Sequence, residues 1–393
     1  MRILHVIPSI GPARGGPSVV MRTMARSQAA CGLEVHVATT DDNGRGRLSK
    51  TAGASFVEDS VTYRIFRRQT RFYTFSLPLT MWLSKHARDY DAIHIHALFS
   101  YPSIAAAFFA KRAHVPYLVR PLGVLSPWGM HHRRPWLKRL SFRLMESRVL
   151  RNAAGVQYTS AQESDEAAQL GVEHSPLLVP NPVDLAADGP LVRGRFRAAF
   201  PKLTGKIIVL FLSRIDAKKG IDLLLPAFAH LRLTHPNAVL VVAGDGNRTL
   251  LEGLKSQAKQ LGLGEGILWA GFLQGESKRN ALADADVFVL PSYSENFGVA
   301  VVEAMGCGVP VIVSDQVGIH REISQAQAGL VVECSVPQLA EALTRTVCDP
   351  VWRRQASGNA RELAGKFAPE TIASQLVKIY ERIRNHHGQR AAA

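Results

Sequence analysis

The feature that most limits what this chain can fold into is an alternation. Short runs of β-branched and apolar residues recur along its length, separated by longer stretches of helical spacing. In the first half the runs are ILHVI (3–7), EVHVAT (34–39), AIHIH (92–96), PYLVR (116–120), GVQYTS (155–160) and PLLVP (176–180). In the second they are KIIVLFL (206–212), AVLVVAG (238–244), ILWAGF (267–272), DVFVLP (286–291), PVIVS (310–314) and GLVVE (329–333). Several are apolar throughout, the pattern of strands covered on both faces. Stretches such as KKGIDLLLPAFAHLRL (218–233) and FGVAVVEAMGCG (297–308) have helical spacing and end near Gly or Pro. Two successive α/β domains with parallel sheets follow. The boundary is expected in NPVDLAADGPLVRGRFRAAFPKLTGK (181–206), which lacks a strand pattern. A length of 393 residues is also what two domains need.

Composition removes several classes. With 47% apolar residues the chain is too hydrophobic for dominant disorder. It has no uninterrupted apolar run of about 18 residues, so a spanning helix is not expected. The opening MRILHVIPSIG runs into Gly and Pro, and reads as a first strand rather than a secretion signal. Cys31, Cys307, Cys334 and Cys348 are scattered without a CxxC spacing, which fits a reducing, cytoplasmic setting without a zinc site.

The net charge of +15 is uneven. Residues 1–196 hold 25 Lys and Arg against 14 Asp and Glu, a surplus of +11. HHRRPWLKRLSFRLMESRVLR (131–151) sets seven basic residues against Glu146 alone. Arg64, Arg67, Arg68 and Arg71 alternate with Phe66, Phe72, Tyr73 and Phe75. Such interleaving suits an anionic membrane surface, and equally a solvated basic face. Trp136, Leu137, Leu140, Leu144 and Met145 recur at helical spacing, so part of that helix is expected to face a core.

Ligands of parallel α/β sheets bind beyond the carboxyl ends of the strands. Four segments there stand out. GPARGGP (11–17), with Gly15 and Gly16, makes a loop that lets backbone approach a ligand and opens a helix whose N–H groups suit an anion; a plain tight turn is the simpler alternative. In SRIDAKKG, Arg214 follows a strand, and Lys218 and Lys219 are expected to begin the next helix, at its positive end. That placement suits a shared anion such as a diphosphate. In VVAGDG, Asp245 is either a helix cap or a ligand contact. In PSYSENFGVAVVEAMGCGVPVI (291–312), Glu295 lies in a loop and Glu303 about two turns into a helix, among Val301, Val302, Ala304 and Met305. An unpaired carboxylate in such a setting is costly, and a ribose diol would satisfy it.

Glu295, Phe297, Gly298 and Glu303 match an E-x7-E pattern, and with SRIDAKKG, VVAGDG, the loop at Gly15 and Gly16, and GVP before PVIVS the chain resembles the retaining glycosyltransferases of family 4, which have the GT-B fold. The resemblance implies two Rossmann-like domains facing across a cleft: residues 1–190 binding the acceptor, 200–370 binding a nucleotide-sugar, and 371–393 a helix returning to the first domain, then a short tail. It implies that Glu295 touches sugar hydroxyls and Glu303 holds the ribose. Arg214 and Lys219 neutralise the diphosphate, with Gly15, Gly16, Phe297 and Gly298 completing the donor site. It also implies transfer from an NDP-sugar with retention, onto a polyprenyl-linked saccharide for polysaccharide or lipopolysaccharide synthesis. The family's usual histidine has Arg120, His96, His131 and His132 as candidates.

No cofactor is expected beyond the donor substrate, and no metal. Asp284 and Asp286 spell DAD, a metal-holding pattern in another glycosyltransferase class, but they precede their strand and so lie at the end away from the ligand. In AIHIH, His94 and His96 are expected to face opposite sides of the strand and to chelate poorly. Peripheral attachment to the cytoplasmic face of the inner membrane is expected from the basic first half. An NDP-sugar epimerase or a phosphorylase on the same frame is the enzyme alternative. A nucleic-acid-binding protein is the non-enzyme one, although the chain has no recognition module for it.

Overall fold

A computed structural model describes residues 1–48, 53, 55–131, 135–185 and 191–392, with side chains described through 387. They fall into two compact units, Met1–Pro182 with the terminal helix Pro369–Ala392, and Val183–Ala368.

The first unit is built on an eight-stranded sheet. Its strands are β1 (Arg2–Ile7), β2 (Glu34–Thr40), β3 (Ser55–Glu58), β4 (Val61–Phe66), β5 (Ala92–His96), β6 (Tyr117–Arg120), β7 (Gly155–Tyr158) and β8 (Pro176–Leu178), in the order β8-β7-β6-β5-β1-β2-β4-β3. All pairs are parallel except β3 with β4, an antiparallel edge. The sequence reading missed that edge. Of the residues read as a basic and aromatic surface, Arg64 and Phe66 belong to β4, and Phe66 is buried. Arg68 is buried too, in an ion pair with Asp42, so only part of the expected patch is on the surface.

Apolar clusters lie on both faces of this sheet. On one face the terminal helix contributes Ile372, Leu376, Tyr380 and Ile383, a stripe at spacings of one helical turn that joins Met21, Met24 and Ala25 of the helix Gly16–Ala30. The helix runs through the expected tail to Ala392.

The basic segment departs from expectation more sharply. It forms short helices, Pro135–Ser141 and Ser147–Arg151, joined by a π-helical turn, Phe142–Glu146. A π turn takes an extra residue and so rotates the phase of everything before it relative to everything after. Ser141, Glu146, Val149 and Leu150 face inward, and Trp136, Leu140, Leu144 and Met145 are exposed instead of facing a core. His132, Arg133 and Arg134 lie outside the described residues.

The second unit has a six-stranded, fully parallel sheet of β9 (Ile207–Leu212), β10 (Ala238–Ala243), β11 (Ile267–Gly271), β12 (Val287–Leu290), β13 (Val311–Ser314) and β14 (Gly329–Val332), in the order β11-β10-β9-β12-β13-β14. β10, β12 and β13 are buried along their whole length, as their unbroken apolar runs require. The order reverses direction at β9 and β12, and loops at the carboxyl ends of those neighbours diverge to leave a site. Both parallel sheets confirm the α/β reading.

Candidate functional site

In the second unit the site grows from the loops after β9 and β12. Ser213 and Arg214 leave β9, and Asp216 caps a 3-10 turn, Ala217–Lys219, by accepting from the Lys218 N–H. The two lysines therefore precede the helix Ile221–Thr234 rather than begin it. Gly220 separates them from it at φ +69, and a Cβ there would collide with the Pro291 carbonyl oxygen. Only glycine lets this turn press against the loop after β12. The Tyr293 N–H donates to the Lys218 carbonyl at 2.8 Å, completing the dock.

Glu295 is thereby brought to Lys219, and the two form an ion pair. Its backbone is fixed by bonds from the Glu295 N–H to the Gln316 carbonyl and from the Gly318 N–H to the Glu295 carbonyl. Burial pushes the Glu295 carboxyl up, but Lys219, its hydrogen bond, Lys218 and Arg214 outweigh that and hold it below the usual carboxylate range. Burial lowers the Lys218 ammonium, with further repulsion from Lys219. Arg214 is exposed, and among the described residues neither it nor Lys218 makes an ion pair. Three cations thus gather around Glu295 beside a cavity of about 820 Å³ lined by Arg214, Asn247, Leu250 and two further carboxylates, Asp216 and Asp222.

Past Glu295, Gly298 takes φ +95 and starts the helix Val299–Gly306. The Phe297 side chain is buried against Phe367, ring centres 5.5 Å apart, so contact with a ligand at this position would come from backbone. Val301, Val302, Ala304 and Met305 are buried, but Glu303 points elsewhere, to Lys278 Nζ at 2.9 Å. The expectation of an apolar setting for Glu303 is corrected: sequence neighbours on a helix do not share a face. Lys278 was missed, although it belongs to a helix, Gly275–Asp284, that follows β11 and so obeys the same carboxyl-end rule. Asp245 is not the cap of the next helix. Asn247 is, accepting from the Leu250 N–H at 3.0 Å.

Asp284 and Asp286 lie at the opposite end of the sheet. Asp284 accepts from the Gly194 and Arg197 N–H groups, and Asp286 pairs with Arg197 and accepts from the Ile208 N–H.

In the first unit, Gly15 takes φ +66 between the turn Pro12–Arg14 and the helix Gly16–Ala30. Open space surrounds both Gly15 and Gly16 where side chains would be. His94 and His96, two apart on β5, share a face as alternation demands. Their rings stack with centres 4.3 Å apart, so the expectation of opposite faces is corrected. His5 joins them, its Nδ1 2.9 Å from His96 Nε2 and its Nε2 2.7 Å from Gln28 Oε1. Tyr380 bonds His94 Nδ1 at 2.7 Å. Arg120 is buried, bonds Asn181 and lies 3.4 Å from His96 Nδ1. Burial holds His5 down to about 4 and His94 and His96 well below their usual value. The three ring nitrogens lie within 4.8 Å of one another, but the adjacent guanidinium opposes a second cation. His131 is exposed and bonds the Pro127 carbonyl. Arg120 and His96 are members of a closed network, and His132 lies outside the described residues.

Residues 15–182 match the family described as glycosyl transferase 4-like domain, and 192–363 match glycosyl transferases group 1. The chain belongs to the group 1 glycosyltransferases. A D-inositol 3-phosphate glycosyltransferase of Jonesia denitrificans is 26% identical over 98% of this chain and 96% of that protein. A phosphatidyl-myo-inositol mannosyltransferase of Mycobacterium leprae is 33% identical, over 47% of this chain and 49% of that protein. Among solved structures, Anabaena HepE in complex with UDP and glucose has a TM-score of 0.76 at 21% identity, covering 97% of this chain and all of that one. The group 1 glycosyltransferase has the GT-B fold.

Proposed function

We propose that this group 1 glycosyltransferase moves a sugar from an NDP-sugar to an acceptor hydroxyl with retention of anomeric configuration and without a metal. The carrying observation is the gathering of Arg214, Lys218 and Lys219 around Glu295 at the carboxyl ends of β9 and β12. The HepE complex, a neighbour in fold, holds UDP and glucose. As the bond to the diphosphate breaks, negative charge develops on the leaving group, and fixed cations stabilise it most at that moment. Lys219 has three N–H donors, so it can hold Glu295 and still reach a phosphate oxygen. Glu295 orients the donor sugar. Glu303, steadied at Oε1 by Lys278, accepts the ribose hydroxyls. The acceptor attacks the face the diphosphate leaves, and a leaving phosphate oxygen takes its proton.

The acceptor is a lipid-linked saccharide reached at an anionic membrane surface. Exposed Trp136, Leu140, Leu144 and Met145 stand beside exposed Arg139 and Arg143. Tyr73 bonds Ser141, which brings exposed Arg71 and Phe72 to the same patch. Each basic residue near such a leaflet is worth about 1 kcal/mol. Among the described residues no helix is long and apolar enough to cross a membrane. The mannosyltransferase of M. leprae, named for a phosphatidyl-inositol acceptor, supports this class.

A panel of UDP-, GDP-, ADP- and dTDP-sugars, tested with lipid-linked and soluble acceptors and with NMR of the product anomer, decides the reading. Retained configuration on a lipid-linked acceptor supports it; inversion, or donor hydrolysis or epimerisation alone, sinks it. Sedimentation with anionic and neutral vesicles tests the surface. Equal partitioning, with efficient transfer to a soluble acceptor, rejects the membrane part alone.

A further inference from the structure

The second unit carries another cationic cavity, at the amino ends of β12 and β13 and so at the edge of the sheet away from Arg214 and Glu295. It has a volume of about 490 Å³. Arginines line it from two directions: Arg193 and Arg197 at the helix Arg195–Ala199, and Arg353, Arg354 and Arg361 on the helix Pro350–Gly365. Two carboxylates are also present, but both are occupied. Asp284 is held by backbone N–H groups of Gly194 and Arg197, and Asp286 by the Arg197 guanidinium and the Ile208 N–H. Arg197 is spent on Asp286 and three carbonyls, and Arg353 on the carbonyls of Thr346 and Val347. Among the described residues Arg193, Arg354 and Arg361 make no ion pair and are exposed to the cavity mouth. The surplus is therefore three free guanidinium groups, with Arg353 as a fourth cation at the wall.

Gly308 explains how one of them comes so close. It takes φ +72 after the helix Val299–Gly306, and a Cβ at that position would occupy the space of the Arg361 guanidinium. Ser357, one turn before Arg361, donates to the Gly308 carbonyl at 2.6 Å and ties the two segments together. The guanidinium thus rests in a backbone cradle. Five guanidinium groups against two carboxylates leave a positive excess that an anion would relieve. Planar guanidinium forks favour anions with several oxygens in more than one plane. The volume lies within the range of small-molecule sites, but the lining is polar, which selects a charged ligand.

We propose that this cavity is a second anion site, for a phosphate-bearing small molecule of the diphosphate or sugar-phosphate class, separate from the donor site. Inorganic pyrophosphate is the probe for the shared chemistry, and a hexose phosphate distinguishes the two sources. The full chain is titrated with each, and binding is followed by thermal unfolding and calorimetry at constant ionic strength. Three proteins are compared: the unsubstituted chain, Arg354→Ala/Arg361→Ala and Arg214→Ala. Both substituted helix residues are exposed, and circular dichroism checks that the fold persists. If substitution to alanine unfolds the chain, Arg354→Gln/Arg361→Gln takes its place. Expected is saturable binding that survives Arg214→Ala and weakens at least about tenfold in the helix double variant, consistent with loss of charge-assisted bonds. Tighter binding of the hexose phosphate than of pyrophosphate assigns the sugar-phosphate source, and the reverse assigns the diphosphate. Binding lost in Arg214→Ala, binding unchanged in the double variant, or an effect reproduced by chloride at equal ionic strength overturns the proposal.

Discussion

The two units place charged residues near strand ends in opposite ways. In the first, His5, His94, His96 and Arg120 are sealed by Tyr380 of the terminal helix, and every histidine is held neutral by burial. In the second, Arg214, Lys218, Lys219 and Glu295 stand beside an open cavity, and the cations hold the Glu295 carboxyl below its usual range. The same β/α architecture therefore yields neutral histidines where a helix closes over them and an ion-paired site where loops stay apart. Low dielectric without a counter-ion removes charge, and neighbouring opposite charge retains it.

The comparison breaks most severely at Lys219. Lys219→Ala is expected to reduce turnover about tenfold to a thousandfold, with Arg214→Ala in the same range, because developing diphosphate charge loses its partner. Steady-state kinetics with the donor identified by the panel check this; near-normal turnover in both variants would move the phosphate site elsewhere. Lys219→Ala is also expected to lower stability, since it strands Glu295, whereas exposed Arg214 leaves stability unchanged.

Acid should act on the other unit. The folded histidines bind fewer protons than the unfolded chain below its pKa of about 6.5, so stability rises with pH across that window. Conversely, stability is expected to fall as pH drops from about 6.5 towards 4, by on the order of 3 kcal/mol for His5 alone. Urea unfolding at several pH values measures it, and His5→Asn should flatten the slope. A slope equal to that of the unsubstituted chain would show that the network is not what titrates.

Glu303→Gln sharpens the contrast further. It is expected to weaken nucleoside diphosphate binding by about 1–3 kcal/mol through poorer ribose acceptance and loss of the Lys278 pair. Calorimetry with UDP and GDP reads it, and unchanged affinity for whichever binds would remove Glu303 from the site. The smallest expected effect is none: under the proposed metal-free mechanism, in which fixed cations neutralise the diphosphate, EDTA should leave turnover intact. Inactivation reversed by magnesium or manganese would contradict that.

Much of this molecule was legible in its residues because hydrophobic periodicity is local. Runs such as AVLVVAG and DVFVLP announce buried parallel strands, and Gly298 with Glu303 announces a helix start. Period-2 reasoning was misapplied at His94 and His96, whose shared face the alternation itself requires. The strand Val61–Phe66 and its antiparallel edge partner were hidden because Arg64 and Phe66 begin a basic and aromatic run that also describes a surface. At 135–151 a single π turn rotated apolar side chains outward, a change in phase that periodicity over a whole segment does not register.

By itself, then, the sequence determined two parallel α/β units, the strand ends where chemistry belongs, and the charges available there, since each depends on residue type and short spacing. Tertiary structure decided which of those charges meet. Lys219 reaches Glu295 across 76 positions, Lys278 reaches Glu303 across 25, and Tyr380 reaches His94 across 286. Such pairings are set by strand order and by close backbone approaches such as Gly220 on Pro291, and no local pattern encodes them.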